Sequence, residues 1–215
     1  MLLISALRRW KPKVALLIGT AGSVLAPLAL DDAECKRAAG DPYAEADALF
    51  ASNEYAKLAA QLRTALAGSA EDQGLLWRMG RACKKLADSE PPKSVAKRAL
   101  ISEGIACTER SLSLQEGCGP CHKWHAILLT ETGQFEGTSA TIKNSFVVRE
   151  HFERAVDLSP ADATSRHLLG LWCFEVAKLS WLEQKAAAAF FATPPQATFA
   201  EAATHFEVRG QSLCA

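Results

Sequence analysis

The chain has 215 residues, 49% of them hydrophobic and 22% charged, and its 24 Lys and Arg balance 24 Asp and Glu. It is long and apolar enough to bury a core, which excludes a disordered tail. The cations Arg8, Arg9, Lys11 and Lys13 all precede the first acid, Asp31. Residues 31–215 therefore keep 20 Lys and Arg against 24 Asp and Glu, a net charge of −4. This balance argues against non-specific nucleic-acid binding, which needs a basic face.

In chain order, the first element is an uncharged run from Val14 to Leu30. Seventeen residues in a helix span roughly 25 Å, slightly under a hydrocarbon core of about 30 Å. Its flank, Arg-Arg-Trp-Lys-Pro-Lys, is cationic and carries a Trp, as at a membrane interface. Three readings compete: a membrane anchor with the body in the cytosol, a cleaved secretory signal ending near Ala26–Ala29, and a mitochondrial transit segment. The cysteines favour an anchor or mitochondrial targeting over secretion. They stand at 35, 83, 107, 118, 121, 173 and 214. An odd count at irregular spacing does not describe a disulfide scaffold. Residues 1–30 are thus assigned to targeting, 31–42 to a linker and 43–213 to the folded body.

From Pro42 the periodicity is helical. Tyr55, Leu58, Leu62 and Leu66 share a face, as do Leu76, Met79, Cys83 and Leu86. Trp124, Ile127 and Leu128 form a third stripe. Val148, Phe152, Ala155 and Val156 form a fourth, and Leu169, Trp172, Cys173 and Val176 a fifth. Nothing alternates with period two, so no sheet is expected. Breakers at Gly68-Ser69, Asp88–Pro92, Gly117–Pro120, Thr132-Gly133, Ser159-Pro160 and Thr193–Pro195 divide the helices. Asp162 or Ser159 supplies an N-cap oxygen for the helix that follows.

The helices recur. The small residues Gly80, Ala126 and Gly170 stand 46 and 44 residues apart, and Ser111 and Ala155 are again 44 apart. Phe152-x-x-Ala155-x-x-x-x-Pro160 matches the end of a tetratricopeptide unit, whose usual length is about 34 residues. The surplus falls near Ser89–Lys97 and Gly137–Val147, which predicts long second helices or long connections. The expected fold is all-α: a tetratricopeptide-like α-solenoid of about four helix pairs, at 43–67, 71–115, 121–158 and 161–213. Stacked pairs leave a concave surface suited to a peptide, a helix or a long apolar ligand.

One motif carries chemistry. Cys118-Gly-Pro-Cys121 has the spacing of a thioredoxin-type redox pair, in which a helix N-terminus acidifies a thiol. That motif belongs after a strand, and none is expected here. Cys118-x-x-Cys121-His122 also fits covalent haem attachment, which would need a second axial ligand. Cys118, Cys121, His122 and His125 are zinc-type residues, but closed zinc sites join two separated ligand pairs. The plain reading is a loop and a helix start: Gly117 and Gly119 end one helix, and Pro120 opens the next. Trp77, Trp124, Trp172 and Trp181 read as core.

Several segments together resemble the regulator of microtubule dynamics protein family. They are Leu75–Ala82, His122-Lys-Trp-His-Ala-Ile127, Gly133-Gln-Phe-Glu-Gly137, Ile142-Lys-Asn-Ser145, His151-Phe-Glu-Arg-Ala155, His167–Phe174, Trp181 and Phe191-Ala-Thr-Pro-Pro195. The resemblance covers about residues 45–207 and is nearest to the family's shorter, mitochondrion- and cytoplasm-associated members. It implies a tetratricopeptide-like protein without enzymatic activity or cofactor, associated with microtubules and spindle poles. One branch of the family is anchored in the outer mitochondrial membrane by an N-terminal segment, bridges to the endoplasmic reticulum and holds lipid. Family members also carry helices beyond the segment matching Phe199–Val208, and the family does not require Cys118 or Cys121.

The resulting expectation is an adaptor that works by surface recognition, with microtubules or a partner peptide or helix as ligand. Lipid binding and transfer is the rival reading, and a membrane would be engaged through residues 10–30. Arg78, Lys123 and Arg166 are the candidate groove cations, each on a first helix beside an aromatic or apolar stripe. The alternative for each is a solvated surface charge.

Overall fold

A computed structural model describes residues 41–179, 184, 188 and 195–211. The apolar segment 14–30, most of the linker, Cys35, Trp181, Phe191–Pro194 and Cys214 lie outside these residues. Among the described residues every regular element is a helix. They are α1 (Ala44–Ala51), α2 (Tyr55–Gly68), α3 (Gln73–Asp88), α4 (Val95–Leu114), α5 (Gly119–Glu136), α6 (Thr138–Leu158), α7 (Ala163–Ala177) and α8 (Phe199–Gln211).

Several starts have a local cause. The Asp72 carboxylate accepts the amide N–H of Leu75 at 3.0 Å and opens α3. Ser94 does the same for Lys97 at the start of α4, and Asp162 for Thr164 at the start of α7. The expectation that Asp162 or Ser159 caps that helix resolves to Asp162; Ser159 instead ends α6. Gly137 ends α5 and begins α6 with no loop between them. Its φ of 93° lies in the left-handed region, where a Cβ is costly.

Successive helices pair and stack: α1 on α2, α3 on α4, α5 on α6, and α7 on α8. Neighbouring pairs meet through α2–α3, α4–α5 and α6–α7, and α3 also touches α5, so first helices lie side by side. The surplus over a standard repeat sits largely in the second helices: α4 has 20 residues and α6 has 21.

Most of the predicted stripe residues join a core cluster that includes Leu58, Leu62, Trp77, Met79, Cys83, Trp124, Ile142, Phe152, Leu169 and Trp172, while Leu128 packs with Ala87 and Ile101 in a second, smaller one. Each large apolar side chain buried in it contributes roughly 1.5–3 kcal/mol. The recurring small residues are points of close approach. A Cβ on Gly80 would stand 2.5 Å from the Thr108 methyl and 3.2 Å from the Gly104 carbonyl on α4. On Gly170 it would meet the Phe206 ring of α8 at 2.6 Å. The 44–46-residue period therefore marks where paired helices touch. No described helix is long and apolar enough to cross a membrane.

Candidate functional site

The three candidate cations lie on successive first helices, α3, α5 and α7, two, three and four residues before Gly80, Ala126 and Gly170, and they meet different fates. Arg78 is 1% exposed. Its Nε and Nη2 donate to the two oxygens of Asp47 at 2.9 and 2.7 Å, and Nη1 donates to the Gly74 carbonyl at 3.1 Å. The guanidinium lies against the Tyr43 and Trp77 rings, 4.2 and 4.4 Å from their centroids. Arg81, one turn on, donates to the same carboxylate at 2.6 Å and covers the Phe50 ring. Burial pushes the Asp47 carboxyl up, but the Arg78 and Arg81 guanidiniums outweigh it and hold the group below its ordinary range.

Lys123 is 2% exposed and its Nζ sits 2.9 Å from Asp162 Oδ2. The same oxygen accepts from the Ser165 hydroxyl at 2.6 Å, while Oδ1 caps α7. Lys123 thus ties α5 to the first turn of α7. Arg166 is half-buried and donates twice to the Pro160 carbonyl, at 2.9 and 2.7 Å. A groove contact or a solvated charge requires an exposed head group, and for Arg78 and Lys123 the structure corrects that expectation: both are enclosed among carboxylates and rings. Of the three, only Arg166 reaches the surface. The carboxylate partners Asp47 and Asp162 were missed at the sequence level. The signal available was phase, because Arg78 stands three residues after Leu75 and four before Ala82, a core position.

A second buried polar group lies where α4, α5 and α6 meet. His122 Nε2 is 2.8 Å from the Glu116 carbonyl, and its Nδ1 is 2.7 Å from His151 Nδ1. The carbonyl can only accept, so Nε2 of His122 donates, its Nδ1 accepts, and His151 Nδ1 donates. His125 Nδ1 pairs with the Thr108 hydroxyl at 2.8 Å, and its ring stands edge-on to His151 with centroids 4.7 Å apart. Burial and mutual repulsion push His125 down to about 4, and burial and the neighbouring His122 push His151 down to about 4. Burial also lowers His122. With both ring nitrogens engaged by protein groups, His122 is not oriented to ligate a haem iron. Among the described residues no group of three His, Cys, Asp or Glu is disposed to hold a metal ion.

The Cys-Gly-Pro-Cys motif forms the loop and first turn of α5, as its glycines and proline require. Cys118 is the N-cap and its sulfur accepts the Cys121 amide N–H at 3.3 Å. The two sulfurs are joined, with the Cα atoms 5.3 Å apart. This bond was not expected, since the cysteine count argued for free thiols. One helical turn at i and i+3 brings the pair within bonding reach whatever the global count.

A family model described as regulator of microtubule dynamics protein 1-3 matches residues 43–209, the whole of the helical stack. The chain is 41% identical over 162 residues to regulator of microtubule dynamics protein 1 of Bos taurus, covering 75% of this chain and 50% of that protein. It is 39% identical over 163 residues to the Mus musculus protein of the same name, covering 76% and 53%. It is also 39% identical over 140 residues to regulator of microtubule dynamics protein 3 of Xenopus laevis, covering 63% and 29%. The chain spans about half the length of the type 1 relatives. On the strength of the match across residues 43–209, this chain belongs to the regulator of microtubule dynamics protein 1-3 family.

Proposed function

We propose that the chain is a non-enzymatic helical-repeat adaptor that acts on microtubules by surface recognition. The family match across the entire helical stack carries this reading, because the relatives are named as regulators of microtubule dynamics. The interior fits such a role: the buried cations Arg78, Arg81, Lys84 and Lys123 each pair with a carboxylate of a neighbouring repeat. The contact charges are then the cations that reach solvent. Arg166 is one, and Lys143 and Arg154 on α6 are others. Lys143 and Arg154 are eleven residues apart, about three turns, and so share a helix face. Acidic tubulin tails would meet them, and the attraction would weaken with salt.

Co-sedimentation with stabilised microtubules tests the reading. Wild type pellets with the polymer, and the triple variant K143E/R154E/R166E binds several-fold more weakly at low salt. A wild-type chain that stays in the supernatant overturns microtubule association, and undiminished binding by the triple variant overturns this choice of contact charges. In cells we place the chain on the cytoskeleton and at the mitochondrial outer membrane, held by the apolar run 14–30. Imaging the full-length chain beside one lacking residues 1–30 checks this, since only the full chain would mark mitochondria.

A further inference from the structure

We propose that Cys118 and Cys121 form a reversible thiol–disulfide site that exchanges electrons with a low-molecular-weight thiol of the glutathione type. Cys118 is the attacked and attacking sulfur, and Cys121 is its buried partner. The inference does not depend on the microtubule reading.

The geometry is asymmetric. Cys118 is half-buried and open to an incoming thiol, whereas Cys121 is fully enclosed. Cys118 caps α5, so its sulfur receives the Cys121 amide N–H and the positive end of the helix, both of which favour a thiolate there. The enclosed Cys121 sulfur is met by two polar groups from other helices. Gln73 Nε2 of α3 donates to it at 2.9 Å, and Ser111 Oγ of α4 lies 3.0 Å away. Ser111 Oγ also donates its own proton to the Gln73 carbonyl at 3.1 Å, which leaves its lone pairs toward the sulfur. A buried disulfide needs neither group. A buried thiolate needs the first and a buried thiol needs the second, so both oxidation states find partners in place.

The exchange balances as follows. A glutathione thiolate attacks Cys118 Sγ; a bond forms between those sulfurs, the Cys118–Cys121 bond breaks, and the electron pair leaves on Cys121 Sγ. Gln73 Nε2–H stabilises that charge until a solvent proton arrives, and the resulting S–H donates to Ser111 Oγ. A second glutathione thiolate attacks the glutathione sulfur of the mixed disulfide, releasing oxidised glutathione and leaving the pair on Cys118. Two glutathione thiols are oxidised to one disulfide while one protein disulfide becomes two thiols, and oxidised glutathione drives the reverse. No described strand offers an edge for an extended polypeptide, which favours a small thiol over a protein substrate. The other described thiols are poor competitors. Burial holds Cys83 well above the ordinary thiol range, pushes Cys107 up to about 11 and raises Cys173 as well.

The full-length chain supports a direct test. Trypsin releases Ser111–Lys123, which contains Cys118 and Cys121 and no other cysteine. Across buffers running from reduced to oxidised glutathione, this peptide should pass reversibly from doubly alkylated to internally joined. After reduction by a phosphine, a brief limiting pulse of N-ethylmaleimide should label Cys118 at least about tenfold more than Cys121, Cys83 or Cys173. Oxidised glutathione should form a lasting adduct on Cys118 in C121S, and at least about tenfold less on Cys121 in C118S. A pair that remains dithiol in oxidised glutathione, remains joined in reduced glutathione, or labels equally at both sulfurs overturns the proposal. Should a single-cysteine variant unfold, as alkylation of Cys83 and Cys173 would reveal, the wild-type titration and pulse decide alone.

Discussion

Arg78 on α3 and Arg166 on α7 both lie in the first half of a first helix, but Arg78 stands two residues before Gly80 and Arg166 four before Gly170, about 200° apart in helix phase, and their surroundings differ. Arg78 meets a carboxylate from a different helix pair and is sealed by two rings; Arg166 donates to a carbonyl six residues before it. Lys123 on α5 lies between them in sequence and resembles Arg78, because its carboxylate also belongs to the neighbouring pair. What separates the cases is helix phase together with the facing acid: Arg78 and Lys123 are turned toward a carboxylate of the neighbouring pair, and Arg166 is turned toward the Pro160 carbonyl. A first-helix cation becomes a fastener where its phase turns it toward a facing acid and a surface group where it does not.

Removing Asp162 should have the largest effect. D162A strips the cap from α7 and removes the carboxylate 2.9 Å from the buried Lys123 ammonium, a loss of about 3–5 kcal/mol in urea unfolding. R78A comes next, at about 3 kcal/mol, since Asp47 keeps Arg81. If either variant unfolds at the wild-type urea midpoint, the buried pairs are not fasteners. An intermediate effect belongs to pH. An unfolded histidine takes up protons below about pH 6.5, whereas His125 in the fold resists until about 4. Its contribution is therefore complete above pH 6.5 and is lost as pH falls through that window. Between pH 7 and 5, His125 alone should lower stability by on the order of 2 kcal/mol, and H125N should flatten the dependence. The smallest effect is R166A, within about 0.5 kcal/mol of wild type. A larger loss there would erase the distinction drawn between Arg78 and Arg166.

Much of the architecture was legible in the chain. The i, i+3, i+4 stripes and the Gly80–Ala126–Gly170 spacing located four helix pairs, because helix phase and close approach are local properties written in residue size. Asp162 was legible as a cap for the same reason, being adjacent to the helix that it starts. The fates of Arg78 and Lys123 were not, because each depends on a carboxylate 31 or 39 residues away that only the stack brings near. The cysteine pair was half legible. Its spacing and its place at a helix start were visible, but the Gln73 and Ser111 groups around its buried sulfur come from α3 and α4. His151 was quoted in the family resemblance, yet nothing local linked it to His122.

The loopless junction at Gly137 fixes the rotational register of the third repeat. With α5 running directly into α6, one inserted residue would turn α6 by about 100° about its axis. That turn would carry Phe152 out of the core, part His151 from His122, and point the face shared by Lys143 and Arg154 in a new direction. The connection between α3 and α4, by contrast, spans Ser89–Ser94, where Lys93 already adopts a φ of 62° and most residues are exposed. Changes of length are absorbed there without gearing one helix against the next, so an inserted tag or reporter belongs in that turn and not at Gly137.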